Sequence, residues 1–552
     1  MRGQEVSVIR PVAVAALAAA LLPRAHAQED PHAACAGSIG WVPREVLERP
    51  VPVRSGIGVA HDPVTTSVPE AQAFYDQGVA YLHSYVWIEA ARSFHEALRR
   101  DPKVALAWIG LSRVFTGLED APAARDALEK ARSLAEGVSP REKRRIELRA
   151  VHLDALDALG DPAKHLAYKK ALDAALAADM GDVELWMLRG NAEEASAAGR
   201  GQRGGAASVA FYERALAVSP GHFGAHHYLI HSNETIGSVQ EALRHGEVYV
   251  KAAPAIPHAH HMWAHDLRRV GRTQDAIAQF RKADELEQAY YAAERIAPDL
   301  DWHHKHNLDL LSTSYQHQGQ MKEAERLMRV AYALTAPLEY MDYQKKEWPG
   351  FLLARGRVEE AEAAGREFIR SKWGATRVAG HVVLGQAQLA RGRVEEAREQ
   401  LALADKEAES IPSGPRALSP DVAPYVDRLR GEVYLRSGRA EDRRALLKEV
   451  QARIRAVPGP DAWMQALFIL ESIANSARQA GDWDLVDYTA RQMQDHDPSY
   501  AGAHFLLALV ADHRGDAAAA RASFAEAEKL WQHADPDLPE LGRVRSRVAE
   551  AR

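Results

Sequence analysis

From Pro69 to the end of the chain one texture repeats: apolar residues, mostly Ala and Leu, recur every three or four positions among Glu, Arg, Lys and Gln. That spacing gathers the apolar side chains on one face of a helix and the charged ones on the other. No segment shows the two-residue alternation of a half-buried strand. The helical texture is punctuated by a glycine with an alanine five residues later: Gly237 and Ala242, Gly271 and Ala276, Gly319 and Ala324, Gly356 and Ala361, Gly392 and Ala397, Gly515 and Ala520. Glycine permits a tight turn between two helices, and alanine lets the second helix approach the first closely. Successive marks stand 34 (237 to 271), 37 (319 to 356) and 36 (356 to 392) residues apart. Pro102, Pro220, Pro254 and Pro498 each follow a helix that cannot run through them. An isolated helix pair cannot bury its apolar face, so the pattern predicts a stacked array of pairs.

Two intervals break the period. From Gly271 to Gly319 there are 48 residues, which predicts a lengthened second helix and a loop over 285–302. From Gly392 to Gly438 there are 46, with a loop expected at 411–415. The glycines between Gly199 and Gly205 predict a flexible turn.

The unit resembles the tetratricopeptide repeat (TPR), about 34 residues in two antiparallel helices. The resemblance is clear at 69–102, 205–284 and 303–400 and degenerate at 103–200 and 420–495. It implies an all-α, helix-turn-helix solenoid of about ten or eleven repeats, wound as a right-handed superhelix, with the first helices lining a concave groove. The organisation expected is a leader over 1–27, an irregular arm over 28–68, N-terminal repeats over 69–220, central repeats over 221–335 with the insertion 285–302, C-terminal repeats over 336–540, and a tail over 541–552.

The leader rests on its own signals. Two arginines and one glutamate in the first ten residues precede the apolar run Val12 to Leu22, and Ala25-His26-Ala27 offers small residues where a signal peptidase reads. Eleven residues rise about 16 Å as a helix, far short of a bilayer core. The expectation is therefore an exported chain, periplasmic or extracellular, with no membrane span after cleavage. Cys35 is the sole cysteine, so neither an intramolecular disulfide nor a thiolate cage is available. A formal charge of −7 with no basic block excludes a nucleic-acid footprint.

Histidine is the unusual residue. Of 25 in the chain, 13 fall between His222 and His317. Counting back from the turn glycines, His227 and His231 lie ten and six residues before Gly237, while His258, His261 and His265 lie thirteen, ten and six before Gly271. Offsets spaced by three and four form one stripe on the first helix of each unit. In neighbouring units the same stripe holds Arg189 and Glu193 before Gly199, and His306 and Asp309 before Gly319.

Helices pack 8–10 Å apart, and metal–imidazole bonds are about 2.0–2.1 Å, so histidines facing across neighbouring helices are candidate ligands for one ion. The expected ligands are His227, His231, His258, His261, His265 and His306. Glu193 stands as a further ligand or general base, with Glu234 and Asp266 as acceptors for the imidazoles and His303 and His304 overhanging the groove. Three or four imidazoles with a carboxylate suit Zn, Cu or Fe, and an open position would hold a water for metal-assisted hydrolysis. Two other readings stay open: contacts for a peptide or protein partner in the same groove, without metal, and a pH-sensitive patch. His226 and His260 are read as packing residues, and His61-Asp62 as a turn. No phosphate loop, nucleophile elbow, His-Glu-x-x-His run or dinucleotide fingerprint occurs, so neither an enzyme nor a binding protein is singled out. The blocks 225–231, 257–266 and 301–307, with 61–66 and 71–77, also resemble those of a group of exported bacterial TPR proteins. That resemblance supports the register of the repeats, not a reaction.

Overall fold

The computed structural model describes residues 40–195, 197–411, 422–437, 440–456 and 460–549. Among them every regular element is a helix. Twelve helix pairs follow one another, from Pro69–His83 with Trp87–Arg100 to Ala501–His513 with Ala517–Leu530. That is slightly more than the ten or eleven expected and twice the six glycine marks, because several turns carry no such glycine. At the marked turns Gly237, Gly271, Gly319, Gly356, Gly392 and Gly515 the backbone is left-handed, φ between 72 and 80°. The amide after the glycine closes a helix-ending hydrogen bond, as from Ser238 N to Asn233 O at 2.8 Å. The first two pairs make the same turn with Tyr85 (φ 57°) and Glu119 (φ 59°), where Val86 and Asp120 donate to Tyr81 O and Phe115 O.

Close helix approach rests on other glycines. The Phe94 ring, fully buried, lies between Gly78 of Pro69–His83 and Gly110 of Ala105–Gly117, and a Cβ at either would stand 2.5 or 2.4 Å from it. The insertion is helical for much of its length: the second helix of its pair is Thr273–Glu294, followed by a short turn at Pro298–Leu300.

Two long-range contacts tie the array. Residues 40–68, with one short helix Arg44–Leu47, strap the first pair to the central repeats. Trp41 Nε1 donates to Leu300 O (3.2 Å), Arg49 to Glu294 O (2.6 Å) and Ala255 N to Gly56 O (2.8 Å). Asp62, expected in a plain turn, is buried and accepts from Tyr75 (2.7 Å) and Arg145 (2.8 Å). The C-terminal repeats return to the same region: His317 Nε2 lies 2.8 Å from Asp497 Oδ2, both buried, and Asp535 N donates to Gly319 O (3.1 Å). The expected tail over 541–552 is corrected, since Pro539–Ala549 is a helix whose Leu541 and Val544 are fully buried. The leader, Cys35, Gly438 and most of the loop expected at 411–415 lie outside the described residues.

Gly78→Ala should destabilise the protein by about 1–3 kcal/mol through overpacking on Phe94. Gly237→Ala, whose added methyl meets open space, should cost only the left-handed strain of about 1 kcal/mol; urea denaturation compares the two. Burial would raise the Asp497 carboxyl, but His317 and Ser499 outweigh it and hold it below its ordinary value. Its contribution is therefore present above the ordinary carboxyl range and lost as pH falls through the lowered value. The stability gap between wild type and Asp497→Asn, about 3 kcal/mol near neutrality for a broken buried pair, should shrink in melts taken from pH 6 towards pH 3.

Candidate metal centre

Three successive first helices supply the histidines. Phe223–Thr235 carries His227 and His231, Pro257–Arg269 carries His258, His261 and His265, and Trp302–His317 carries His303, His304 and His306. Helical spacing turns these rings to a common side, where they meet in three linked triads: His227, His231 and His258; His258, His261 and His303; His261, His265 and His306. Within each triad one ring nitrogen per residue lies within 4.8 Å of the others.

The rows are closed from above. The chain crosses from the first helix to the second of the opening pair at Tyr85, whose ring stands 4.7 Å from that of His227 and 5.6 Å from that of His258. Trp302 covers His258 at 5.7 Å and donates its Nε1 hydrogen to Tyr85 O at 3.1 Å. His227 and His261 are consequently 0% exposed, and His258, His265 and His303 at most 5%. At this point the groove expected to be open is filled by Tyr85 and Trp302.

The outer ring nitrogens have assigned partners. His227 Nδ1 lies 2.6 Å from the carbonyl of His83 and so donates to it. Asn307 gives its amide hydrogens to Phe280 O (3.0 Å), which leaves Asn307 Oδ1 to accept from His261 Nδ1 at 3.0 Å. His303 Nδ1 donates to Glu287, His265 Nδ1 faces Glu234 at 3.3 Å, and His306 Nδ1 is 2.8 Å from the Gln344 amide. A protonated Nδ1 leaves a bare Nε2 on His227 and His261, and each of these lies within hydrogen-bond distance of a neighbouring Nε2: His261 and His265 at 2.8 Å, His227 and His258 at 3.0 Å. His231 Nε2, His258 Nδ1 and His303 Nε2 are buried with no hydrogen-bond partner.

Burial, reinforced by neighbouring imidazoles, holds His227, His258 and His261 well below the ordinary histidine range. Burial likewise brings His231 to about 4, Glu234 opposing it. These rings are neutral at physiological pH, with lone pairs available. Glu287 shows the reverse balance: burial would raise it, but His303 and His304 outweigh it and hold the carboxyl at about 2.

Several expected residues stand elsewhere. Glu193 follows the end of Val183–Asn191 and pairs with Arg189 and with Lys169 (3.3 Å), so it belongs to no triad. Arg189 is held by Asp173 at 2.6 Å and lies over Phe211. Asp266, expected to accept from an imidazole, is fully buried with both oxygens lacking a hydrogen-bond partner; burial and the nearby Glu234 push its carboxyl well above the usual range. Asp309 lies outside the triads, its backbone carbonyl capping Ser312 and Thr313. His304 turns to Glu287 (2.8 Å) and Asp284 (3.9 Å). His226 meets His245 at 2.8 Å and His260 meets Gln279 at 2.7 Å.

The structure adds residues the pattern did not mark. His83, Glu184 and His222 form a further buried group, with His83 Nε2 2.5 Å from Glu184. His83 sits just before a turn without glycine, so no register mark pointed to it. Glu287 and Asn307 were equally unmarked, since their importance lies in contacts across helices. A cavity of about 330 Å³ abuts His258 and His303, with Tyr85, Tyr290, Trp302 and Glu89 among its walls.

Residues 88–138 match the family described as tetratricopeptide repeat. The chain is similar to the crystal structure of yeast Tom70, at 12% identity over 87% of this chain and 95% of that one, TM-score 0.34. The apo quorum sensor NprR from B. thuringiensis aligns at 11% identity over 78% and 99%, TM-score 0.38. The Cut9-Hcn1 hetero-tetramer of the APC/C aligns at 12% over 86% and 96%, TM-score 0.29. No curated protein sequence matches significantly. The tetratricopeptide-repeat match at 88–138 lies within a row of helix pairs, and the described residues have the fold of an all-α helix-turn-helix array of that type.

Proposed function

We propose that this repeat scaffold binds divalent transition-metal ions in its buried histidine rows, one held by His261, His265 and His306 and one by His227, His231 and His258. His303 is a further donor between them. The observation that carries the reading is the pair His261 and His265. His261 Nδ1 is hydrogen-bonded to Asn307 Oδ1, His265 Nδ1 lies 3.3 Å from Glu234, and the two Nε2 atoms face each other at 2.8 Å. With the His265 hydrogen on Nε2 this is a neutral N–H···N hydrogen bond; with it on Nδ1, toward Glu234, two lone pairs face each other and a cation between them is favoured. A proton is one such cation, but burial opposes a charged imidazole at His261. An ion with bonds of about 2.0–2.1 Å satisfies both nitrogens after they part by a few tenths of an ångström. Donation of Nδ1 to a carboxylate or carbonyl is also the usual support of a metal-bound histidine. An all-imidazole donor set without thiolate suits Zn, Cu or Fe.

A tetratricopeptide-type array is suited to protein interaction. In this reading a peptide or protein partner is met on faces other than the one Tyr85 and Trp302 close. The leader-like first 27 residues support an exported setting, in which the ions are acquired outside the cytosol.

Protein stripped with chelator and dialysed against Zn should take up about two ions per chain by elemental analysis, and its unfolding free energy should rise by about 3–4 kcal/mol for each ion at a hundred- to thousandfold excess over Kd. His265→Ala should lose one equivalent and His231→Ala the other, while His226→Ala keeps both. Substoichiometric metal that is the same in all four proteins would end the proposal.

A further inference from the structure

The cavity against His258 and His303 has features that the metal reading leaves unused. Its volume, about 330 Å³, is roughly twice that of an engineered apolar cavity that admits benzene. Tyr81, Tyr85, Tyr290 and Trp302 contribute to its walls, and the exposed Ala289 and Ala293 stand at its rim. Glu89, 3% exposed, also lines it. One oxygen of Glu89 accepts from Arg92 (2.5 Å) and from the Tyr290 hydroxyl (2.9 Å), whereas Oε2 is buried with no hydrogen-bond partner. A buried carboxylate oxygen left unmatched is costly, and a ligand that donates a hydrogen to it removes that cost.

Charge decides between a neutral donor and a cation. Arg92 already bridges Glu89 and Glu294 (2.8 Å), and Arg54 also pairs with Glu294. Of the two other acidic residues on the wall, Glu287 is paired with His303 and His304. Asp301 accepts from the Tyr291 hydroxyl (2.9 Å) and is pushed above its ordinary value by burial. An added ammonium would bring an uncompensated charge into a half-aromatic pocket, whereas a hydroxyl would not. We propose that this cavity binds a neutral phenol, its ring against the tyrosines and Trp302 and its hydroxyl donating to Glu89 Oε2. The proposal rests on the metal reading only for what the far end of the ligand meets, the His258 and His303 side of the centre.

The test is calorimetric titration of the full chain, Zn-loaded and metal-free, with 4-ethylphenol and with 4-ethylanisole, which keeps the shape and loses the donor. The phenol should bind about tenfold or more tightly than the ether, as a hydrogen bond to a charged acceptor implies. Glu89→Gln should bring the two ligands to within about threefold, given the loss of that charged acceptor. Ala293→Trp, a substitution on the exposed rim that leaves Glu89 intact, should abolish phenol binding by filling the mouth. Equal affinities for phenol and ether in the wild type, or phenol binding unchanged in Ala293→Trp, would overturn the proposal even if Glu89→Gln fails to fold. Zn uptake without phenol selectivity sinks this inference alone, while phenol selectivity without Zn uptake sinks the metal reading alone.

Discussion

Imidazoles removed from water in a row must be neutral, and each must find a partner for both ring nitrogens or leave one bare; the central repeats are arranged around that requirement. The outer nitrogens of His303 and His261 are satisfied from the helices behind them, by Glu287 and Asn307, that of His227 from the opening pair by the His83 carbonyl, and that of His265 lies 3.3 Å from Glu234. The inner nitrogens face one another. Closure by Tyr85 and Trp302 makes this arrangement matter, because an exposed row would be satisfied by solvent and would carry no message. The closing residue pays a conformational cost: Tyr85 holds a left-handed backbone that its counterparts at other turns reach through glycine. Strain of that kind persists only where the surroundings over-determine it, here by a buried ring and a backbone carbonyl bonded to Trp302.

The fold was legible because it is local. A turn glycine, an alanine five residues on and a closing proline describe a unit whose helices contact chiefly their sequence neighbours, so periodicity alone determines the architecture. Legibility failed where another residue did the work of glycine. Tyr85 and Glu119 make the same turn with the same hydrogen bond, and nothing in their identity announces it. The helix at Pro539–Ala549 was missed for a different reason: it follows the last marked turn and carries no glycine-alanine mark of its own, although Leu541 and Val544 pack with Phe524 of Ala517–Leu530.

The histidine register was legible for the same reason as the fold. Offsets of thirteen, ten and six before a glycine place His258, His261 and His265 on one stripe, and the structure brings that stripe against His227, His231, His303 and His306. Extending the register to the unit before it failed. Val183–Asn191 stops short of Glu193, so the offset no longer denotes a helical position, and the carboxylate went to Arg189 and Lys169 instead. Asp266 failed as an acceptor: no imidazole reaches either of its oxygens, and burial with the nearby Glu234 pushes its carboxyl well above the usual range.

What no repeat pattern contains is the meeting of distant units. His83 reaches across 144 residues to His227, Trp302 across 217 to Tyr85, and Trp41 across 259 to Leu300. These contacts bring the arm and the opening pair onto the central helices and create both the closed histidine rows and the cavity beside them. A solenoid whose units touched only their neighbours would present the same histidines on an open surface, where the bland reading of a polar docking groove would suffice. Closure removes water and leaves Glu89 Oε2, His258 Nδ1 and His303 Nε2 buried without hydrogen-bond partners, in three residues that line one cavity, and so sets this stripe of polar side chains apart from an open groove wetted by solvent.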